Sequence, residues 1–319
     1  MWLDVSQQPD VQVPVAVELV FRHLRFGFAA IEFAEVIRIC SLMRGVEFYY
    51  AGVPCYTLCK LMRLSVIVIT RNEQVNIEDC LLSLNFADEI IVLDSESTDE
   101  TVAIARRLGA TVSVTADWPG FGIQKNRALA LASGDWVLSI DADERVTPDL
   151  RDEIRAIVVD PSSFNLYCFP RLSSYCGQFM HHSGWHPDYV TRLFRRETAE
   201  FSTDLVHERV VSKDSPLRLK ASLIHLSFPD FESVLDKVNR YSTAGALSMT
   251  LKGRPASLWS ALGHAAWAFF RTYLLRRGFL DGQLGLALAI SNAEGTYYRY
   301  VKRWLEIRGS SRGSEIDGL

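Results

Sequence analysis

The chain has 319 residues, 48% of them hydrophobic and 23% charged, enough for a full buried core and too apolar for a disordered polymer. A net charge of −4 supplies no global basic field, which excludes nucleic acid as the expected partner. The six cysteines (Cys40, Cys55, Cys59, Cys80, Cys168, Cys176) lack the density of a disulfide scaffold and the spacing of a paired zinc site, so they read as reduced thiols of a cytosolic protein.

Residues 1–61 carry no sustained apolar period and close on Cys55, Cys59 and Lys60. Met62 and Arg63 then lead straight into Leu64-Ser65-Val66-Ile67-Val68-Ile69-Thr70, a β-branched run suited to a buried parallel strand. The expectation is that 1–61 is an appendage, or upstream translation before a natural start at Met62. The competing reading is an amphipathic helix from Glu18 to Met43. No stretch reaches the ~20 apolar residues needed to cross a bilayer, and no basic region leads into an apolar run at the N-terminus. The protein is therefore expected in the cytoplasm or on a membrane surface.

From residue 64 strands alternate with helices: strand 64–69, helix 76–84, strand 89–93, helix 99–108, strand 111–114, helix 123–131 and strand 136–140. That alternation predicts a parallel sheet with helices on both faces, and ligands bind such sheets at the carboxyl edge of the strands. Three polar clusters fall there. Thr70-Arg71-Asn72-Glu73 follows the first strand, Asp94-Ser95-Glu96-Ser97-Thr98-Asp99 the second, and Asp141-Ala142-Asp143-Glu144 the strand at 136–140. Asp141 and Asp143, one residue apart, point the same way from extended backbone and suit Mg²⁺ or Mn²⁺, an ion that completes its shell with phosphate and water. Asp94 is expected to meet a nucleotide and Asp99 to cap the next helix. Gly120-Phe-Gly-Ile-Gln-Lys-Asn-Arg127 opens a helix whose free N–H groups, with Lys125 and Arg127, suit an anion.

These clusters, in this order, resemble the family 2 glycosyltransferases, and more narrowly the bacterial lipopolysaccharide inner-core β-glucosyltransferases of the WaaE/KdtX type. The matching text is SVIVITRNE, VLDSESTDET, GFGIQKNRAL, DWVLSIDADE, RLFRR, VHE and GFLDG, over residues 63 to 305. The resemblance implies the α/β GT-A fold, a mixed, mostly parallel sheet flanked by helices with a C-terminal helical extension. It implies a catalytic domain at 62–230, with a donor half at 62–145 and an acceptor half at 146–230. It implies that Thr70, Asn72, Glu73, Asp94 and Lys125 contact the nucleotide, that Asp141 meets the ribose side, that Asp143 holds Mg²⁺ or Mn²⁺, and that the sugar carbon is inverted. The base is expected at Glu208, with Asp188 as the alternative; Trp185, His207 and Arg192 are acceptor-side candidates. The expected reaction moves a hexose, glucose foremost, from a UDP-sugar to a lipopolysaccharide-core or other cell-envelope acceptor. A polyprenyl-phosphate glycosyltransferase and a non-catalytic nucleotide-sugar-binding protein remain as alternatives.

The region 231–308 is expected to be helical, with a disordered tail at 309–319. Between Lys252 and Arg308 nine Lys or Arg outnumber three Asp or Glu, and Trp259, Trp267, Phe269, Phe270, Tyr273 and Phe279 alternate with Arg271, Arg276 and Arg277. That composition suits either a membrane interface or helices packed on the catalytic domain, and makes the cytoplasmic face of the inner membrane an expected partner.

Overall fold

The computed structural model describes residues 49–50, 53–54, 62–160, 162–203 and 208–316. The chain divides into two compact units, Met1–Leu61 and Met62–Leu319. In the first, β1 (Tyr49–Tyr50) and β2 (Val53–Pro54) pair antiparallel. The helix expected from Glu18 to Met43 lies outside the described residues, as do Cys40, Cys55 and Cys59.

The second unit begins with a β/α alternation. β3 (Leu64–Thr70), α1 (Ile77–Ser83), β4 (Glu89–Asp94), α2 (Thr101–Arg107), β5 (Thr111–Val114), α3 (Phe121–Leu131) and β6 (Trp136–Asp141) follow one another. β3 is flanked by β4 and β6, and β4 by β5, all parallel. Every residue of β3 is buried, because both of its faces are covered. Leu64, Val66 and Val68 point into a core shared with Ile77 and Leu81 of α1 and with Leu84 just after it; Ile67 and Ile69 point into a second core with Ala128 of α3.

Past the acidic triplet the sheet becomes mixed. β7 (Glu144–Val146), α4 (Pro148–Val159), β8 (Leu166–Tyr175), β9 (Gln178–Phe179) and β10 (Asp188–Arg195) come next. They are followed by β11 (Ala199–Phe201), β12 (Val210–Ser212), β13 (Leu217–Arg218) and β14 (Leu223–Phe228). The sheet order is β5-β4-β3-β6-β10-β8-β14-β7, with β9 and β13 on β8 and a separate β11–β12 pair. β10 runs antiparallel between β6 and β8, and its register on β8 shifts between Thr191 and Leu193, the irregularity of a β-bulge at Arg192.

Three helices complete the unit: α5 (Phe231–Leu251), α6 (Leu258–Phe270) and α7 (Gly282–Ile316), with α7 packed on both others. Asp230 caps α5 by accepting from the Ser233 N–H at 2.8 Å, and Ser257 and Ser260 form a capping box at the start of α6. A π-helical turn (Arg271–Leu275) and a 3₁₀ turn (Gly278–Asp281) join α6 to α7 through Arg277, whose φ is +55°. Helical backbone of α7 extends to Ile316.

Candidate active site

The strand registers set the site. Thr70 stands opposite Asp94 and Ile69 opposite Asp141, so the loops after β3, β4 and β6 leave one rim. Asp94 is fully buried and accepts from the Thr70 hydroxyl at 2.9 Å, the Ser97 N–H at 2.8 Å and the Ser97 hydroxyl. Its carboxylate holds two loops together. Asn72 works on the same seam from φ +57°, a left-handed conformation that asparagine tolerates. Its N–H donates to Ser97 Oγ at 2.7 Å and its side-chain oxygen accepts from the Thr98 N–H at 2.8 Å. Asp99 accepts from Thr101 and from the Gln74 N–H, one residue ahead of the N-cap at Glu100, so it laces loops as well as starting α2. Burial raises the Glu73 carboxyl above its ordinary value; the Asn76 amide partly opposes this, and Asp143, Asp99 and Asp141 add to it.

Along the rim runs a chain of opposite charges. Lys125, 2% exposed, donates to Glu208 Oε1 at 2.8 Å and lies 3.0 Å from Asp141 Oδ1. Asp141 Oδ2 accepts from Arg192, whose Nη2 also donates to Glu144 Oε1 at 3.1 Å. Burial pushes the Asp141 carboxyl up, but the Arg192 and Lys125 cations outweigh it and hold the group far below the usual carboxylate range. For Glu144, fully buried, burial dominates and raises the carboxyl despite Arg192, with the Asp141 charge adding to the rise. Arg192 is held well above its ordinary value: burial works against its charge, and Asp141 and Glu144 more than offset it.

Asp143 faces the other way along the rim. Its Oδ2 lies 3.1 Å from His225 Nε2, and His225 Nδ1 lies 2.9 Å from the hydroxyl of buried Ser173. β14 brings His225 there by pairing antiparallel with β7, His225 opposite Glu144, and the Leu226 N–H bonds to the Asp143 carbonyl at 2.8 Å. Two ligands held side by side at about 2.1 Å from an octahedral ion stand about 3 Å apart, so the pair fits Mg²⁺ or Mn²⁺. Ser173 on the second ring nitrogen would fix the imidazole orientation. Among the described residues no three His, Cys, Asp or Glu side chains form a metal cage of their own.

Other residues singled out in the sequence stand elsewhere. Arg192, expected on the acceptor side, is buried in the ion chain, because the bulge turns it under Asp141. Arg127, expected at an anion, instead pairs on the surface with Asp117 at 2.7 Å. Asp188 follows the cis His186–Pro187 bond and pairs with Arg171 at 2.7 Å, and Arg171 Nη1 lies 3.5 Å from Glu144 of the ion chain. Trp185 packs against Tyr175 and Phe228 in a third core beneath the C-terminal helices. His207 lies outside the described residues. Sequence reasoning missed His225; its only sequence signal is its place in a strand-like run, Leu223 to Phe228.

A family model described as glycosyl transferase family 2 matches residues 65–216. A glycosyltransferase of Rickettsia conorii is 33% identical over 258 residues, which cover 75% of this chain and 89% of that protein. The chain belongs to the family 2 glycosyltransferases. This glycosyltransferase has the GT-A fold: a mixed, mostly parallel sheet between helices, with a helical C-terminal extension. The lipopolysaccharide core biosynthesis glycosyltransferase LpsC of Rhizobium meliloti is 27% identical over 264 residues, 75% of this chain and 93% of that one. Among solved structures, the mannosyltransferase PcManGT of Pyrobaculum calidifontis, in complex with GDP-Man and Mn²⁺, is 18% identical. That match covers 76% of this chain and 87% of that one, with a TM-score of 0.45.

Proposed function

We propose that this glycosyltransferase transfers a hexose from a UDP-sugar, with inversion, to a lipopolysaccharide-core or related cell-envelope acceptor. The observation that carries the reading is the placement of Glu208 and the Asp143–His225 pair on one rim, bridged through Lys125 and Asp141. The acceptor class follows the resemblance to the Rhizobium meliloti core glycosyltransferase.

In this account the Glu208 carboxylate takes the proton of the acceptor hydroxyl while that oxygen bonds to the anomeric carbon from the face opposite the diphosphate. The bond between that carbon and the diphosphate oxygen breaks, and its electrons leave with UDP. Lys125, shared between Glu208 and Asp141, holds the base in position. Thr70, Asn72 and Glu73 border the nucleoside, and Asp94 acts through Thr70 and Ser97, which it fixes. Asp141 faces the ribose side. A divalent ion held by Asp143 and His225 would supply positive charge to the departing diphosphate.

No helix among the described residues is long and apolar enough to cross a membrane. Trp259, Trp267, Phe270, Leu275 and Phe279 are exposed beside Arg271, Arg276 and Arg277, and this surface supports peripheral attachment to anionic lipid. The test is a screen of nucleotide sugars with purified protein, with and without Mn²⁺ or Mg²⁺. The reading expects metal-dependent turnover of a UDP-hexose and label entering the core glycolipid. Turnover of no UDP-sugar, or label found with a polyprenyl carrier, refutes it.

A further inference from the structure

Below β14, between the end of β8 and helices α5, α6 and α7, lies an open cleft of about 470 Å³. Four cations, Lys237, Arg271, Arg276 and Arg299, line it, and no aspartate or glutamate does. None of the four forms an ion pair among the described residues, whereas Lys125, Arg171 and Arg192 are all matched by carboxylates. Like charges gathered around a cleft repel one another, and an anion bound between them removes that cost.

The cleft is built rather than incidental. The Gly-Phe-Leu-Asp-Gly stretch at 278–282, which the catalytic account does not use, braces its wall. Asp281 is buried and accepts from the His181 and His182 N–H groups at 3.1 Å and from Ser183 Oγ at 2.7 Å. Ser183 in turn donates its N–H to the Arg276 carbonyl at 2.8 Å. At Gly184, with φ +79°, an added Cβ would stand 2.3 Å from the Arg276 side chain, so the glycine leaves the guanidinium stem its place. Trp185 and Tyr241 add aromatic surface. Gly278 and Gly285 lock the corner: a Cβ at Gly285 would lie 1.9 Å from the Gly278 carbonyl oxygen.

The cleft also adjoins the reaction centre. Phe228 on its wall ends the strand that carries His225, and the Lys237 ammonium lies 4.5 Å from the Phe228 ring centroid.

We infer that this cleft is the acceptor's anion subsite, taking a phosphorylated sugar whose phosphate is held by Arg271, Arg276 and Arg299. The acceptor role rests on the transferase reading above; the anion site itself does not. Inorganic pyrophosphate is the probe, titrated calorimetrically into the full chain in metal-free buffer with and without saturating UDP. The wild type should bind pyrophosphate in both conditions, more weakly as salt is added. The double change Arg271→Gln/Arg299→Gln should weaken binding about tenfold or more, with UDP affinity within about twofold of wild type. The double change to lysine, which keeps the charge and loses the planar fork, should bind more tightly than the glutamine variant. Circular dichroism verifies that each variant is folded. Unchanged pyrophosphate affinity in the glutamine variant overturns the site, and so does loss of binding once UDP is saturating, which would assign these cations to the donor diphosphate. Pyrophosphate binding as expected in a protein that turns over no nucleotide sugar keeps the anion site and removes only the transferase reading.

Discussion

Replacing Arg192 with methionine removes the guanidinium between Asp141 and Glu144 while keeping an apolar stem in the same space. Asp141 retains Lys125 at 3.0 Å and a side chain that is 31% exposed, so the penalty falls chiefly on Glu144, which has no exposed surface and keeps Arg171 Nη1 at 3.5 Å and the Asp141 N–H at 2.9 Å. Removing one partner of a buried pair costs about 3–5 kcal/mol. Glu144 limits that cost by taking up a proton, at about 1.4 kcal/mol for each pH unit between its ordinary value and the solution. The sign follows from linkage. A carboxyl raised in the folded state binds a proton before the unfolded chain does, so its favourable contribution is present below the ordinary glutamate value and is lost as pH rises through the folded value. Urea unfolding followed by tryptophan fluorescence at pH 5.5, 6.5 and 7.5 measures this. Arg192→Met should lose about 3–5 kcal/mol at pH 7.5, and the loss relative to wild type should shrink towards acid, by at most about 1.4 kcal/mol per unit. Adding Glu144→Gln should recover much of it, with a coupling of at least about 1 kcal/mol. A loss under about 1 kcal/mol that is flat with pH would refute the assignment of Arg192 as the counter-ion of a buried carboxylate.

Three further outcomes are expected. Gly122→Ala should lower the thermal midpoint by several degrees, at a cost of about 1–3 kcal/mol, because the new Cβ would lie 1.8 Å from the Ser202 carbonyl oxygen and force α3 away from its seat. His225→Ala and Asp143→Asn should each weaken Mn²⁺-dependent UDP binding about tenfold or more in calorimetry, while metal-free binding changes little. Trp259→Ser/Trp267→Ser, both at exposed positions, should reduce co-sedimentation with anionic vesicles, with circular dichroism unchanged; undiminished co-sedimentation would remove this face from membrane attachment.

The donor half was legible because its signals are local. A seven-residue β-branched run announces β3, and alternation with helices implies the parallel sheet whose carboxyl edge gathers Thr70, Asp94 and Asp141. The other half depends on register between distant strands, which one sequence does not specify. His225 reaches Asp143 only because β14 pairs antiparallel with β7, and Arg192 turns under Asp141 only because β10 bulges beside it. Charged residues were misplaced for a related reason. Lys125 and Arg127 lie two apart on α3 and so point to different sides of the helix, one into the buried ion chain and one to surface Asp117. Asp94, expected to meet a nucleotide, is buried and fastens the loops beside the site.

The most direct test of the account is Glu208→Gln, which keeps the shape of the side chain that accepts from Lys125 and removes its capacity to take a proton. Single-turnover sugar transfer should fall about 10²–10⁴-fold while calorimetric affinity for UDP with Mn²⁺ stays within about twofold. Transfer at the wild-type rate would contradict the account and remove Glu208 from the reaction.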